Sequence, residues 1–235
     1  MMIPQNSIAV FGGSFNPIHN GHIALVNKIL EFKFFTNFFA VPNKIEPLSH
    51  RLKMLELAFQ NELNVQISRF EVDSLKPSYS IFTLEYFKQE YSKNEIFFIL
   101  GEDSFHSLPQ WYQFPKILEM SSFLVIHRRG WKKQLPNDLL KYLIESPSEL
   151  PFYKRYKTNF QHCIALDLHS NLSHSRPGNA PATNPPEVYF LDLNLPDVSS
   201  TKIKECLHTK QPITGFVPEA IEQYLITYDP YGTEN

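Results

Sequence analysis

Residues 7–22 read SIAVFGGSFNPIHNGH, where a short apolar run breaks at two glycines and ends in a pair of histidines. Residues 8–11 are β-branched or aromatic around one alanine, which is typical of a buried strand. Gly12 and Gly13 end the run with residues that tolerate positive φ and leave room for a ligand beside the backbone. From Asn20 onward the apolar residues recur at helical spacing, so we predict a strand, a loop and a helix in that order.

His19 and His22 fall one helical turn apart at the start of this predicted helix. Unpaired N–H groups at a helix N-terminus attract phosphate, so a nucleotide could bind there. The stretch contains neither G-x-G-x-x-G nor G-x-x-x-x-G-K-[ST], so it is neither a dinucleotide fingerprint nor a P-loop. Two histidines at this spacing, taken alone, are more often capping or surface residues than a functional pair.

The composition favours one folded domain that contains a sheet. The chain has 235 residues, of which 43% are hydrophobic and 14% aromatic, enough to build a single α/β core. The formal charge of −2 gives no basic excess, which argues against a nucleic-acid polymer as the main partner. No basic and apolar leader or run of about 18 apolar residues is found, so we predict a cytoplasmic protein without a membrane segment. Cys163 and Cys206 lie in no metal-binding spacing and are predicted to be free thiols.

Further apolar runs alternate with helical patterns along the chain. The runs predicted to be strands are 36–42, 65–68, 95–100, 122–126 and 187–192. The patterns predicted to be helices are 49–59, 81–91, 135–144, 199–205 and 217–225, with Ser49, Ser80 and Ser199 to Thr201 as expected caps. This alternation predicts an α/β fold, a Rossmann-like doubly wound parallel sheet of five to six strands with helices on both faces.

One segment interrupts the alternation. Residues 168–186 are rich in Pro, Ser and Asn, and this composition predicts a surface-loop insertion at about 163–187 within a single domain, 1–235. Within 168–186, His169 and His174 have no carboxylate or cysteine partner, so we predict no metal site there.

Three more groups follow predicted strands or begin predicted helices. Residues 101–104 place Asp103 just past a strand end, where it could bind a ligand or act as a helix N-cap. Trp111 follows on a turn, where it could stack on a ligand or anchor the core. Residues 197–205 combine hydroxyl side chains with two lysines, which a helix N-terminus disfavours unless an anion is bound. That helix start is either a second phosphate site or a capped surface helix.

Residues 12–22 resemble, in all eleven positions, the G-G-[ST]-F-[DN]-P-x-H-x-G-H signature of the nucleotidylyltransferase superfamily. Other segments resemble the bacterial nicotinate-nucleotide adenylyltransferase family, in order along nearly the whole chain. They are 42–44, 51–58, 77–80, 101–104, 109–112, Arg128, 199–201 and 217–219. The resemblance implies transfer of the adenylyl group of ATP to nicotinate mononucleotide, giving deamido-NAD and pyrophosphate in NAD biosynthesis. It also implies Mg²⁺ that arrives with ATP, and no metal ligand from protein side chains.

The resemblance also implies roles for individual residues. His19 and His22 would be catalytic and would stabilise the transition state. Trp111 would stack on the pyridine ring, backbone N–H groups near Ser80 and Tyr112 would receive its carboxylate, Asp103 would contact the ribose, and Lys44 the phosphate region. The expected ATP-binding residues are Gly12, Gly13, Ser14, Phe15, His19, His22, Gly101, Asp103, Arg128, Ser200, Thr201 and Lys204. The expected nicotinate mononucleotide-binding residues are Asn43, Lys44, Arg51, Tyr79, Ser80, Trp111 and Tyr112.

The chain departs from the family pattern at several positions, and alternatives stay open. Lys204 replaces the usual arginine and offers a point charge in place of a bidentate fork. Asn16 and Arg129 stand where aspartate and proline are usual. The alternatives are an adenylyltransferase acting on nicotinamide mononucleotide or phosphopantetheine, and a catalytically silent nucleotide-binding regulator, against which the intact histidines argue. The expected partners are ATP and nicotinate mononucleotide, with no nucleic-acid polymer and no membrane, and a homo-oligomer is left open.

Overall fold

The computed structural model describes residues 6–127, 137–140, 144–145, 165–167 and 187–232. Its strands are β1 Ser7–Gly13, β2 Asn37–Pro42, β3 Val65–Ile67, β4 Glu95–Gly101, β5 Ser122–His127, β6 Ile144–Glu145, β7 Ala165–Asp167 and β8 Glu187–Asp192. Its helices are α1 Asn20–Glu31, α2 Leu48–Phe59, α3 Phe70–Asp73, α4 Ser80–Glu90, α5 Glu102–Ser107, α6 Asn137–Leu140, α7 Ser200–His208 and α8 Glu219–Tyr228. Two 3₁₀ turns, Leu108–Gln110 and Lys116–Glu119, lie between α5 and β5.

These strands form one sheet in the order β3-β2-β1-β4-β5-β8-β7-β6. Six of the described strands, from β3 across to β8, are parallel to one another. The predicted Rossmann-like, doubly wound sheet of five to six parallel strands with helices on both faces is therefore confirmed.

The central strands carry core residues on both faces of the sheet. Ala9 of β1 belongs to the buried cluster formed with α1, α2, α7 and α8. Its neighbours Ile8 and Val10 belong to the opposite cluster, formed with α4 and α5. A strand that is buried on both faces needs apolar residues at every position, which is why these strands stand out in the sequence as continuous runs.

The topology places a crevice between the ends of β1 and β4. The strand order reverses at this pair, and the helices that follow them, α1 and α5, pack on opposite faces of the sheet. In doubly wound folds, ligands bind outside the carboxyl ends of the strands at such a point. The loop after Gly13 and the start of α5 after Gly101 border this crevice.

Two short strands differ from the sequence-based expectation. Strand β7 runs antiparallel to β8 and lies within the range 163–187 that was predicted to be a loop. Strand β6 pairs with β7 and includes Ile144, which was predicted to be helical together with 135–143. Both predictions were wrong at these residues, because runs of two or three residues are too short to show a period. The rest of the predicted loop, 168–186, lies outside the described residues.

The helix starts agree with the sequence in part. Pro47 and Tyr79 occupy the N-cap positions of α2 and α4, so the predicted caps Ser49 and Ser80 were wrong and lie inside those helices. Ser199 does cap α7, and its Oγ accepts a hydrogen bond of 3.2 Å from the backbone N–H of Lys202. No helix in the described part of the chain has the length and apolar character needed to cross a membrane.

Candidate active site

The loop between β1 and α1, residues 14–19, folds back over the glycines that precede it. Phe15 has a φ of +45°, and its ring is buried. A Cβ atom at Gly13 would lie 3.0 Å from that ring, so glycine leaves the space that Phe15 fills. Since the Phe15 ring faces the core, any contact between this residue and a nucleotide would come from its backbone.

His19 and His22 form a stacked pair at the start of α1. His19 occupies the N-cap position with an extended backbone, and its carbonyl oxygen accepts from the N–H of His22 at 2.9 Å. The two imidazole rings stack with their centroids 3.8 Å apart and their planes at 29°. The Phe15 ring supports His22 from a centroid distance of 5.2 Å. The structure thus brings the two histidines together at a helix N-terminus, as their spacing predicts.

Two neighbouring segments hold this loop in place. The backbone N–H of Asn20 donates to the carbonyl oxygen of Phe216 and its side-chain amide donates to that of Gly215, both at 2.8 Å. Ser200 Oγ at the start of α7 donates to the carbonyl oxygen of Pro17 at 2.9 Å. The two helix starts predicted to bind phosphate are therefore joined by a direct hydrogen bond. Asn20 was not among the predicted site residues, although a polar residue between the signature histidines is a visible signal in the sequence.

The two lysines of α7 lie over aromatic rings near the C-terminus. Lys202 Nζ is 4.9 Å from the centroid of the Phe216 ring, and Lys204 Nζ is 6.0 Å from that of Tyr231. These rings offer their negative faces to the ammonium groups. This attraction offsets part of the unfavourable interaction between the lysine charges and the helix dipole. A contact between Lys204 and ATP stays a prediction, as does the contact expected for Thr201.

Arg51 lies beneath the site. Its side chain is fully buried, and its guanidinium donates to the backbone carbonyl oxygens of Ser14, Asn43 and Ile45. Burial lowers the pKa of Arg51, an effect that the nearby Tyr231 opposes. The guanidinium has no exposed surface in this structure and binds the loops that carry Ser14 and Asn43. The predicted contact of Arg51 with the mononucleotide would require some of these hydrogen bonds to break, and it stays a prediction.

Lys44 also binds the main chain. Its Nζ donates to the carbonyl oxygens of Ser74 and Lys76, and its backbone N–H donates to Ser78 Oγ at 3.3 Å. These hydrogen bonds attach the end of β2 to the segment that leads into α4. The predicted contact of Lys44 with phosphate would require this ammonium group to turn away from Ser74, and it stays a prediction.

Aromatic side chains cluster where α4 begins. The rings of Tyr79 and Tyr112 stack with centroids 4.8 Å apart, and both residues are about half exposed, at 45% and 49%. The indole N–H of Trp111 donates to Ser107 Oγ at 3.2 Å, and its ring packs edge-on against Phe98. Trp111 is therefore packed against the core and still partly exposed, and its stacking on a ligand stays a prediction.

The ends of β4 and β5 form the far side of the crevice. Asp103 is exposed in the first turn of α5, and Gly101 holds the N-cap position, so Asp103 is not itself the cap. Glu102 is buried, and its Oε2 lies 2.7 Å from Nδ1 of His127. Arg128, also predicted to bind ATP, lies outside the described residues. Across the described ranges, no three His, Cys, Asp or Glu side chains are grouped in a way that could hold a metal ion.

These features define a class of nucleotide-binding transferase folds. They are a doubly wound sheet, an H-x-G-H loop at its switch point, and a second helix N-terminus joined to that loop. Residues 10–206 match the family described as Cytidylyltransferase-like, and the chain belongs to that family. Within it, the chain groups with the nicotinate-nucleotide adenylyltransferases.

Two curated relatives and one solved structure illustrate this similarity. A Legionella pneumophila (strain Lens) protein named probable nicotinate-nucleotide adenylyltransferase is 30% identical over 97% of this chain and 100% of its own length. The Bacillus subtilis (strain 168) nicotinate-nucleotide adenylyltransferase is 26% identical over 94% of this chain and 96% of its own. The structure of Plasmodium falciparum nicotinic acid mononucleotide adenylyltransferase complexed with NaAD matches with a TM-score of 0.66 at 17% identity, covering 97% of this chain and 98% of that one. This structural likeness shows the shared fold.

Proposed function

We propose that this chain transfers the adenylyl group of ATP to nicotinate mononucleotide, giving deamido-NAD and pyrophosphate in NAD biosynthesis. The observation that carries the proposal is the stacked pair of His19 and His22 at the N-terminus of α1, with the start of α7 hydrogen-bonded to the same loop. The names of the curated relatives support the choice of donor and acceptor. A cytoplasmic location stays a prediction, and whether the chain forms a homo-oligomer stays open.

In this reaction a phosphate oxygen of the mononucleotide forms a bond to the α-phosphorus of ATP. The bond from that phosphorus to the oxygen bridging to the β-phosphate breaks, and pyrophosphate leaves with the electron pair. No covalent intermediate with the protein is required, so catalysis rests on alignment and on stabilising negative charge. Imidazole N–H groups of His19 and His22 and the N-terminal dipole of α1 would supply that stabilisation. Magnesium would arrive with ATP as the Mg-ATP substrate and would add positive charge near the phosphates.

The ATP would lie across the crevice between β1 and β4. Gly12, Gly13 and Ser14 would leave backbone space for its phosphates, and the start of α7 with Ser200 would bind them from the other side. Asp103, exposed beyond the end of β4, would accept from ribose hydroxyl groups. The hydrogen bond between Ser200 and Pro17 supports this arrangement, since it joins the start of α7 to the loop that leads into α1.

The pyridine ring of the acceptor would bind at the aromatic cluster where α4 begins. Tyr79, in the N-cap position of α4, makes no side-chain cap hydrogen bond, and the N–H of Phe82 donates to the Tyr79 carbonyl oxygen at 3.0 Å. The backbone N–H groups of Ser80 and Ile81 would therefore donate to an external acceptor. A carboxylate accepts at both of its oxygens and is favoured at a helix N-terminus. The accessible side of Trp111 would stack on the ring, whichever substituent the ring carries.

The acid is therefore expected to be a better acceptor than the amide. The amide would point its NH₂ at a backbone N–H and leave both groups unpaired, which costs about 1–3 kcal/mol, or about tenfold to more than a hundredfold in kcat/KM. The measurement is pyrophosphate release at saturating Mg-ATP with nicotinate mononucleotide, nicotinamide mononucleotide or phosphopantetheine. Trp111→Ala serves as the matched variant, since it should weaken both mononucleotides and keep the preference. Equal values for acid and amide, or turnover of phosphopantetheine alone, would contradict the proposed acceptor.

Gly21 tests whether the histidine pair needs its observed geometry. A Cβ atom there would lie 3.0 Å from Nδ1 of His19 and 3.4 Å from the carbonyl oxygen of Pro196. The imidazole cannot yield without disturbing its stack on His22, so Gly21→Ala is expected to lower kcat about tenfold. Alanine favours a helix by up to about 1 kcal/mol, so the melting temperature should fall little or rise. Asn27→Ala, an exposed change on the same helix, is the control, and equal kcat in the two variants would show that the His19 position is not critical.

A further inference from the structure

Glu102 and His127 meet where β4 and β5 stop pairing. The last pair in the register of these strands is Gly101 with Ile126, and Glu102 and His127 are the next residue on each strand. The carboxylate oxygen Oε2 lies 2.7 Å from the imidazole Nδ1, within hydrogen-bonding distance. The contact therefore joins the two strands one step beyond their backbone ladder.

The Glu102 carboxylate lies in a position where burial of its charge is unfavourable. The Glu102 side chain is only 7% exposed, and the His127 side chain is 33% exposed. Burying a carboxylate costs several kcal/mol unless a partner and further hydrogen bonds compensate it. Neither residue takes part in the proposed reaction, so the phosphate chemistry does not explain why a carboxylate is buried here.

The residue that follows Glu102 is Asp103, the expected ribose ligand. It lies in the first turn of α5, a helix of six residues that cannot be stable alone and must be positioned by tertiary contacts. Two such contacts are visible, the buried ring of Phe105 and the pair of Glu102 with His127. The Phe105 ring lies toward the end of this short helix, whereas the pair acts on its first turn, from which Asp103 extends.

We propose that the Glu102–His127 pair positions Asp103 for the ribose of ATP. The proposal rests on the function proposed above and assigns both members of the pair as positioning residues, which do not touch the substrate. It states that the pair sets ATP affinity while leaving the acceptor subsite at α4 unaffected.

The test measures ATP binding and turnover separately. In calorimetric titration with Mg-ATP alone, His127→Ala is expected to weaken binding about tenfold, the loss of about 1.4 kcal/mol. The KM for ATP should rise by a similar factor, while kcat and the KM for nicotinate mononucleotide change less than about threefold. Glu102→Ala should behave alike, and the double variant should lose no more than either single one.

Conservative and control variants separate positioning from folding. His127→Asn keeps an N–H donor near the position of Nδ1 and should restore ATP binding to within about threefold of wild type. Glu102→Asp keeps the charge but is one methylene shorter, so it should weaken ATP binding, and it carries the test if the alanine variants do not fold. Glu85→Ala breaks an exposed pair with Lys116 at 2.8 Å and should leave ATP binding unchanged.

The outcomes distinguish this proposal from the proposed function. Unchanged ATP affinity in a folded His127→Ala or Glu102→Asp protein overturns the role of the pair, as does an equal loss for ATP and acceptor. Wild-type protein that binds ATP but adenylates no mononucleotide overturns the proposed function, while the calorimetric comparison still decides the role of the pair.

Discussion

His22→Ala is expected to lower kcat for adenylyl transfer by about 10²–10³, with a well-folded protein and a smaller change in the KM for ATP. The reason is that the imidazole at the start of α1 would act on charge that develops at the α-phosphate, and this charge is greatest in the transition state. His22 packs against the buried Phe15 ring and stacks on His19, so its position is set before substrate binds. Steady-state kinetics of pyrophosphate release measures the effect.

His19→Ala should reduce kcat by a similar factor, and the double variant should lose less than the product of the two. The rings are stacked 3.8 Å apart and would act on one phosphate as a unit, for which losses are not additive. His50→Ala is the matched control. His50 is also partly buried and hydrogen-bonded, but to the hydroxyl of Tyr224 at 2.9 Å on the contact between α2 and α8. Near-normal turnover in folded His22→Ala protein would remove the histidines from the mechanism.

The parts of this fold that the sequence predicted are those with a strong local signal. Strands buried on both faces are continuous apolar runs, and their alternation with helical patterns is enough to indicate a doubly wound sheet. The arrangement of the signature residues 12–22 could also be predicted, because the glycines and both histidines lie close together in the sequence, within the end of one strand, one loop and one helix turn. Strands β6 and β7 were missed, since they are only two and three residues long and, unlike the equally short β3, fall outside the alternation of strand and helix patterns.

The parts that could not be predicted depend on residues far apart in the chain. Glu102 and His127 meet because β4 and β5 are neighbours. The stack of Tyr79 on Tyr112 depends on where α4 lies relative to the segment that carries Tyr112. No local pattern reveals such pairs. Arg51 is the clearest example. An arginine on a helix is usually exposed to solvent, but here the side chain is buried because the backbone carbonyl oxygens of Ser14, Asn43 and Ile45 accept hydrogen bonds from it.

Arg51→Ala is expected to lower the free energy of unfolding by about 3–5 kcal/mol. The substitution leaves the carbonyl oxygens of Ser14, Asn43 and Ile45 without this donor, at about 1–3 kcal/mol for each group that water does not reach, and also leaves a cavity. For a chain of this length that loss corresponds to a fall in melting temperature of about 6–20 °C, which differential scanning calorimetry measures. Turnover should fall as well, because the loop after Gly13 loses the guanidinium beneath it.

Two further variants decide whether Arg51 supports the loops or contacts the mononucleotide. Lys53→Ala, two residues further along α2, removes an exposed cation paired with Glu56 at 3.4 Å and should change stability by less than about 0.5 kcal/mol. Arg51→Lys keeps the charge but replaces a planar fork of five donors with a single ammonium, so it should recover only part of the stability. If Arg51→Ala instead left the melting temperature within about 2 °C of wild type and raised only the KM for nicotinate mononucleotide, the guanidinium would be a substrate ligand, as the family resemblance first implied.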